Sequence, residues 1–187
     1  TAYEMLRSLV GSEMCIRDSH ELELLNRLAL EREQVVTVLL RVSPGVDAQT
    51  HAYNTTGVAD SKFGFAIAAG QAEQALQQAQ AAPGLHPVGL HAHIGSQIFD
   101  LAPYRQAVGV VLAFAAAMAE QHGFALQEFS PGGGWAIRYT RADAQPPGAE
   151  EIAAAITDTL REETTRLGLP LPRLIVEPGR SIVGPAG

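Results

Sequence analysis

Helical and strand patterns alternate along this chain from His20 onward, and this alternation constrains the fold more than any other feature of the sequence. Several stretches have the apolar periodicity of amphipathic helices, and short apolar runs typical of strands buried on both faces lie between them. Such alternation predicts β–α–β units around a parallel sheet, which a doubly wound sheet and a (β/α)8 barrel both contain. The predicted helices are 20–32, 67–81, 100–122 and 150–167, and the predicted strands are 35–42, 87–94, 125–130, 173–177 and 182–183.

The positions of the chemically unusual residues distinguish between these two folds. Arg41, His93 with Ser96, the glycines at 132–134 and the segment 177–180 follow the ends of four successive predicted strands. A (β/α)8 barrel builds its active site from such strand ends, whereas a doubly wound sheet binds its ligand at one switch point. The sequence therefore predicts an α/β fold of the TIM-barrel type, of which this chain supplies roughly half.

Composition limits the partners and the cellular compartment that we expect for this chain. The net charge is −7, and binding of nucleic acid needs clustered Lys and Arg, so we expect no nucleic-acid partner. The longest apolar stretch, 107–119, is shorter than the ~20 residues of a membrane span and favours a packed helix. Cys15 is the only cysteine, which excludes an internal disulfide and indicates a cytoplasmic protein.

Residues 1–19 lack the periodicity of the rest of the chain. The string at 8–19, Ser-Leu-Val-Gly-Ser-Glu-Met-Cys-Ile-Arg-Asp-Ser, resembles the translation of a transposase adapter used in preparing sequencing libraries. We therefore expect residues 1–19 to be foreign sequence and residues 20–187 to be a partial barrel domain. An ordinary disordered N-terminus is the alternative.

Two motifs after predicted strands could bind a phosphate or a metal. Gly132, Gly133 and Gly134 leave backbone N–H groups unobstructed, which suits an anion-binding loop, although a flexible turn has the same composition. His91 and His93 share one face of a strand and could bind one metal ion, as in barrel hydrolases. The later strand ends offer no third histidine, which weakens that interpretation and favours an imidazole lying against an aromatic cofactor.

The segment from Glu177 to Arg180 offers a carboxylate and a guanidinium beside a tight Pro178–Gly179 turn. A carboxylate at a strand end can accept a hydrogen bond from a protonated pyridine nitrogen and so keep the ring an electron sink. Arg180 could hold a phosphate or a substrate carboxylate through two hydrogen bonds. A surface salt bridge is the alternative for this pair, as a barrel-bottom ion pair is for Arg41.

Together, in this order, the motifs resemble those of the pyridoxal-phosphate-dependent decarboxylases of the alanine-racemase-like fold. The diaminopimelate branch of that family has the form His-Ile-Gly-Ser-Gln found at 93–97, and the resemblance extends from about Ser19 to Gly187. The matching segments are 40–47, 56–57, 61–64, 91–97, 132–134 and 177–180.

The resemblance implies a cofactor, a reaction and a set of roles. The cofactor would be pyridoxal 5'-phosphate, and the reaction would convert meso-2,6-diaminopimelate, a small amino acid, to L-lysine and carbon dioxide in a homodimer. His93 would stack on the ring, Glu177 would pair with its nitrogen, and Arg180 would also contact substrate. The residues expected to bind the cofactor are Arg41, His93, Gly95, Ser96, Gly132, Gly133, Gly134, Glu177, Pro178, Gly179 and Arg180.

Departures from the family pattern limit what this chain can do alone. The family's covalent lysine belongs to an Ala-x-Lys-Ala-Asn segment that is absent here, and Lys62, the only lysine, follows a polar loop instead. The family's C-terminal β-domain is also absent, and Ala136 stands where a further glycine is usual. We therefore expect the chain to be inactive by itself. A metal-dependent barrel hydrolase using His91 and His93, or a non-catalytic pyridoxal-phosphate scaffold, are the alternative functions.

Overall fold

The computed structural model of the chain describes residues 14–47 and 63–184 and shows strands and helices in alternation. Most of the predicted loop at 43–59, together with Lys62, lies outside the described residues. The strands are β1 (Met14–Ile16), β2 (Val36–Ser43), β3 (Phe65–Ala66), β4 (Leu85–His91), β5 (Glu128–Ser130) and β6 (Arg173–Leu174). The helices are α1 (Ser19–Glu31), α2 (Gln71–Ala81), α3 (Ala102–His122), α4 (Ala149–Leu167) and α5 (Gly179–Val183).

All the strand pairs in the described part of the chain are parallel. The strand order is β1-β2-β4-β5-β6, and β3 pairs with β2 beyond the main path. Arg41 is in register with His91, and His91 is in register with Ser130, so the carboxyl ends of β2, β4 and β5 lie side by side. This arrangement is that of a partial (β/α)8 barrel, and it brings the loops after these strands to one edge of the sheet.

The centre of the sheet is buried on both faces, as the apolar run at 35–42 predicts. Val38, Leu39 and Leu40 are at most 2% exposed although their side chains alternate between the faces. Leu76 of α2 and Leu112 of α3 are fully buried in the same apolar cluster. Removal of such side chains from water provides the main driving force for the fold, at about 25 cal/mol per Å² of apolar surface.

Local signals set the helix ends. The carboxylate of Asp18 accepts a hydrogen bond of 2.9 Å from the backbone N–H of Glu21 and so caps α1. Gly123 and Gly168 follow α3 and α4 in the left-handed conformation, with φ of 65° and 69°. These glycines end both helices where the sequence predicts, because an αL residue at C′ carries no Cβ penalty when it is glycine.

Helix α3 is long and apolar enough to cross a membrane if length and composition alone are considered. Half of its most apolar window is nevertheless buried inside this domain, where Tyr104, Val108 and Leu112 are at most 1% exposed. The helix is therefore used as a core helix here, as the sequence analysis expects of 107–119.

The structure differs from the predicted elements at several places. Strand β3 was not predicted, and β5 and β6 are shorter than the predicted strands at 125–130 and 173–177. Residues 182–183 were predicted as a strand, which is wrong because they belong to helix α5. A segment of only two apolar residues is too short to show whether its periodicity is that of a strand or of a helix. Pro178 lies directly before the helix, where its fixed φ is compatible with helix initiation. Helix α2 begins at Gln71 rather than at 67, since Gly70 adopts φ of 74° just before it. Strand β4 ends at His91, so His93 lies in the following loop.

A further difference is at the N-terminus. Met14–Ile16 forms β1 and pairs with β2, although the sequence analysis predicts no regular element before His20. A strand of three residues is too short to show an alternating pattern, and its position is decided by Ile16, which is 1% exposed beside β2.

Candidate cofactor site

Two loops form the core of the site, the β4 loop (residues 92–99) and the glycine loop (residues 131–137). The glycine loop begins directly after β5, and its three glycines lie against neighbouring backbone. A Cβ on Gly132 would lie 2.6 Å from the carbonyl oxygen of Ala92, and one on Gly134 would lie 2.2 Å from that of Gly95. A Cβ on Gly133 would lie 2.0 Å from the carbonyl oxygen of Glu177. Glycine is therefore required at all three positions by packing between strand ends.

Backbone and side-chain hydrogen bonds hold the glycine loop on both sides. The N–H of Ile98 donates to the carbonyl of Gly134 at 3.0 Å, and the hydroxyl of buried Tyr104 donates to the carbonyl of Gly133 at 3.0 Å. The N–H of Glu177 donates to the carbonyl of Gly132 at 3.0 Å. These contacts fix the loop in one conformation, in which it links the strand end at β4 with the segment after β6.

A cavity of about 450 Å³ lies beside these loops. Its size falls within the range of small-molecule sites in proteins, roughly 300–1,000 Å³. Cationic, anionic and aromatic side chains all line it. The lining residues are Arg17, Arg41, Phe63, His91, His93 and Glu177.

His91 and Glu177 form a pair inside this cavity. The Nε2–H of His91 donates to Oε1 of Glu177 at 3.2 Å, and the histidine side chain is 7% exposed whereas that of the glutamate is 51% exposed. Within the described residues, Nδ1 of His91 is buried without a hydrogen-bond partner. The hydrogen bond from His91, aided by the charge of Arg41, lowers the pKa of Glu177 against the opposing effect of burial. Glu177 is therefore held as a carboxylate, and its half-exposed side chain lines the cavity.

His93 is held in its neutral form. Burial and then the charge of Arg41 lower its pKa, with a further contribution from His91 and an opposing one from Glu177. The N–H of Gly133 donates to Nδ1 of His93 at 3.4 Å, an interaction that needs an unprotonated Nδ1. His93 thus lies at both the cavity and the glycine loop, and its stacking on an aromatic cofactor stays a prediction.

Arg41 lies two residues before the end of β2, at the cavity and not at the opposite end of the sheet. Its guanidinium carbon lies 5.5 Å from the centre of the Phe63 ring, a distance at which a cation and an aromatic face attract. The interpretation of Arg41 as part of an ion pair at the bottom of a barrel is therefore wrong, because the arginine faces the same space as His91 and Glu177.

The segment 177–180 is arranged differently from its prediction. The N–H of Gly179 donates to the carbonyl of Glu177 at 2.9 Å, which closes the expected tight turn after Pro178. Arg180 then leaves the cavity, since it donates to the hydroxyl of Tyr139 and lies 6.0 Å from that ring. The structure thus brings Glu177 to the cavity but directs Arg180 to the neighbouring loop. Ser96 and Gly95 lie in the β4 loop, next to Gly134 of the glycine loop.

The sequence analysis did not find every residue of the site. It considered His91 only as a metal ligand or a core residue, although its position two residues before His93 places both at one cavity. It assigned no role to Gln97 or Tyr104, whose contacts depend on residues about 30 to 40 positions away. Within residues 14–47 and 63–184, no three His, Cys, Asp or Glu side chains are grouped to hold a metal ion.

The chain matches known proteins over most of its length. Residues 5–184 match the family model described as the pyridoxal-binding domain of pyridoxal-dependent decarboxylases. The chain is 40% identical over 168 residues to the diaminopimelate decarboxylase of Bacillus subtilis, a match that covers 90% of this chain and 38% of that protein. It is 42% identical over 166 residues to the diaminopimelate decarboxylase of Synechocystis, which covers 89% of this chain and 34% of that protein.

A solved structure is similar in both fold and sequence. The structure of diaminopimelate decarboxylase from M. jannaschii in complex with L-lysine superposes with a TM-score of 0.79 and 33% identity. The match covers 89% of this chain and 38% of that one. The chain therefore spans little more than a third of the length of the relatives that it matches.

Proposed function

We propose that the complete protein decarboxylates 2,6-diaminopimelate to lysine, since the chain belongs to the pyridoxal-dependent decarboxylases through its match to their pyridoxal-binding domain. The observation that carries this proposal is the carboxylate of Glu177, held ionised by His91 at a cavity that His93 and Arg41 also line. The relatives named diaminopimelate decarboxylase support the choice of substrate.

The residues of the cavity fit pyridoxal phosphate. Glu177 offers a carboxylate oxygen for the ring nitrogen, and neutral His93 offers a flat ring beside it. The glycines at 132–134 bring the glycine loop into close contact with the β4 loop and with Glu177, so its backbone lies beside the residues that line the cavity. Ser96, Gly133, Gly134 and Gly179 would hold that phosphate. When bound, pyridoxal phosphate supplies a ring that accepts the electron pair left by departing carbon dioxide.

Four of the side chains that line the cavity have proposed roles that follow from their surroundings. Glu177 would accept a hydrogen bond from a protonated ring nitrogen, because its lowered pKa keeps it a carboxylate. His91 orients that carboxylate from a buried position. Arg41 supplies positive potential without competing for a proton, because a guanidinium stays charged. His93 is held beside the cavity by the hydrogen bond from the N–H of Gly133 to its Nδ1.

Arg180 has a distinct place in the proposal. A guanidinium can bind a carboxylate or a phosphate through two parallel hydrogen bonds. In this structure its partner is Tyr139, on the loop after the glycine loop. We infer that Arg180 exchanges this partner for the phosphate or for a substrate carboxylate when the complete protein binds its ligands.

The setting of the complete protein is part of the same proposal. We infer a cytoplasmic homodimer whose partners are small amino acids rather than nucleic acid or membrane. Support comes from the L-lysine in the M. jannaschii complex and from the net charge of −7. We also infer that residues 1–19 are foreign to the native protein. Genomic sequencing through this junction tests that origin, and finding the same codons in the genome would contradict it.

Release of carbon dioxide from 2,6-diaminopimelate by the complete protein, with and without pyridoxal phosphate, tests the proposed function. We expect cofactor-dependent release with lysine as product, and much slower release from lysine or ornithine offered as substrates. Glu177→Ala removes the carboxylate, so we expect kcat to fall about 100-fold or more.

A matched carboxylate variant controls for loss of charge alone. Glu163→Gln removes a carboxylate that pairs with Arg166 on the surface of α4, and we expect unchanged turnover. Unchanged turnover in Glu177→Ala would refute the role of Glu177. Cofactor binding without decarboxylation of any diamino acid would instead favour a non-catalytic pyridoxal-phosphate scaffold.

A further inference from the structure

Gln97 has an unusual backbone conformation for its residue type. Its φ is 59°, in the left-handed region, and Glu33 with φ of 54° is the other non-glycine residue of this kind among those described. The left-handed conformation costs a residue with a Cβ about 1 kcal/mol or more, so other contacts must hold it. For Gln97 those contacts are visible in its side chain.

The amide of Gln97 pairs with the backbone of Ile137. Its Nε2 donates to the carbonyl of Ile137 at 3.0 Å, and its Oε1 accepts from the N–H of Ile137 at 2.9 Å. Both polar atoms of the side chain are therefore used on one residue of the glycine loop. Two bonds from a planar amide fix distance and orientation together, as a neighbouring strand would.

The next residue continues the same contact through its main chain. The N–H of Ile98 donates to the carbonyl of Gly134, and Ile98 forms a parallel bridge with Trp135. Ile98 is 1% exposed, so this pairing is shielded from water. The left-handed turn at Gln97 thus allows its side chain to contact the end of the glycine loop at Ile137 while the backbone of Ile98 contacts the middle of that loop at Gly134.

The two hydrogen bonds between Gln97 and Ile137, here called the clamp, hold the β4 loop and the glycine loop close together. Gly134 is so close to the β4 loop that a Cβ on it would lie 2.2 Å from the carbonyl oxygen of Gly95. Ser96, directly before Gln97, and Gly133, directly before Gly134, are the residues proposed to hold the phosphate from the two sides. Gln97 is therefore directly adjacent to Ser96, and its partner Ile137 lies in the same loop as Gly133, four residues further on.

We propose that Gln97 is a positioning residue that sets the distance between the two phosphate-binding loops through its bidentate contact with Ile137. This inference rests on the proposed function, because it takes the ligand of these loops to be the phosphate of pyridoxal phosphate. Gln97 touches the glycine loop and acts on the ligand only through it.

Gln97→Met keeps the length of the side chain and removes both hydrogen bonds. In the complete protein, stripped of cofactor and titrated with pyridoxal phosphate, we expect its Kd to rise about tenfold, since two hydrogen bonds are lost. Without cofactor, we expect the amides of 133–137 to exchange hydrogen faster than in the wild type. A variant that only lowers global stability leaves the Kd unchanged at temperatures far below unfolding.

Two further variants separate the clamp from the strained backbone. Glu33→Met leaves a side chain in the left-handed conformation after α1, and we expect a wild-type Kd and wild-type exchange at 133–137. Gln97→Gly removes the strain together with the clamp, and we expect it to bind cofactor as weakly as Gln97→Met. A wild-type Kd for Gln97→Gly would assign the role to the backbone and overturn the inference.

The remaining outcomes distinguish this inference from the proposed function. If the wild type binds pyridoxal phosphate and Gln97→Met shows the same Kd and the same exchange, the inference fails and the proposed function stands. If the wild type does not bind the cofactor, the proposed function fails and the positioning role fails with it.

Discussion

The glycines of the glycine loop and Gly179 were predicted for the same task, but the structure surrounds them differently. A Cβ on any of Gly132, Gly133 and Gly134 would lie within 2.6 Å of a backbone oxygen, whereas one on Gly179 would meet nothing within 4 Å. The triplet is therefore required by the packing of the described chain itself. Packing does not require glycine at position 179, so any need for glycine there depends on ligand binding.

The side chains around the glycine loop and those of the segment after β6 also differ in how well they are packed. The glycine loop is fastened by Gln97, Tyr104 and the backbone of Ile98. The segment after β6 carries exposed apolar side chains, with Val176 at 39%, Ile182 at 69% and Val183 at 66%. One side of the site is thus preorganised by the domain, and the other presents apolar surface that suits further packing.

Gly133→Ala should have the largest effect of the variants that test this contrast. Its Cβ would lie 2.0 Å from the carbonyl oxygen of Glu177, and neither backbone can move without breaking the sheet edge. We expect the free energy of unfolding of the complete protein to fall by about 3 kcal/mol, measured by chemical denaturation.

Gly109→Ala is the matched control for Gly133→Ala. Gly109 lies inside helix α3, and a Cβ there would meet nothing within 4 Å. We expect a gain of about 0.5–1 kcal/mol, because alanine favours a helix over glycine. Equal stability changes in the two variants would contradict the claim that packing demands the glycine triplet.

Gly179→Ala should separate folding from binding. We expect the free energy of unfolding to change by less than about 0.5 kcal/mol, because the space around Gly179 is open. If Gly179 presents its backbone to a phosphate, the added methyl group should weaken binding of pyridoxal phosphate about tenfold, an expectation based on a lost charge-assisted hydrogen bond. Absorbance titration with the cofactor measures this, and an unchanged Kd would remove Gly179 from the site.

Acidic pH should destabilise the glycine loop, which is the preorganised side of the site. The pKa of His93 is lowered in the fold, so stability from its neutral form is complete above its ordinary value near 6.5 and is lost as the pH falls through the lowered pKa. Protonation also ends the bond from Gly133 to Nδ1. Glu177, whose pKa is also lowered, contributes its own loss only below about 4.5.

Denaturation of His93→Gln between pH 5 and 8 measures this effect. The glutamine amide does not titrate, so we expect the wild type to lose stability below about pH 6.5 and the variant to lose less. This is the smallest of the expected effects. Parallel pH profiles in the two proteins would show that His93 does not couple protonation to the glycine loop.

Sequence patterns sufficed where a structure depends on local periodicity or on glycine. The apolar run around Val38–Leu40 predicts a buried strand, and Gly123 and Gly168 predict the ends of two helices, since these signals lie within a few residues. The triplet at 132–134 was predicted as an anion-binding loop or a flexible turn, and its packing against neighbouring backbone was not predicted. The hydrogen bond from His91 to Glu177 could not be predicted, because it depends on the register between strands far apart in sequence. The contact of Arg180 with Tyr139 depends equally on how a distant loop folds back.

A crystal structure of the complete protein with pyridoxal phosphate tests the central claim most directly. We expect the glycine loop to keep the conformation described here, with the phosphate between Ser96 and Gly133 and the ring nitrogen within hydrogen-bond distance of Glu177. We also expect the segment 178–180 to shift toward the phosphate while the glycine loop does not. A cofactor bound away from Glu177, or a glycine loop that rearranges to receive it, would contradict the claim.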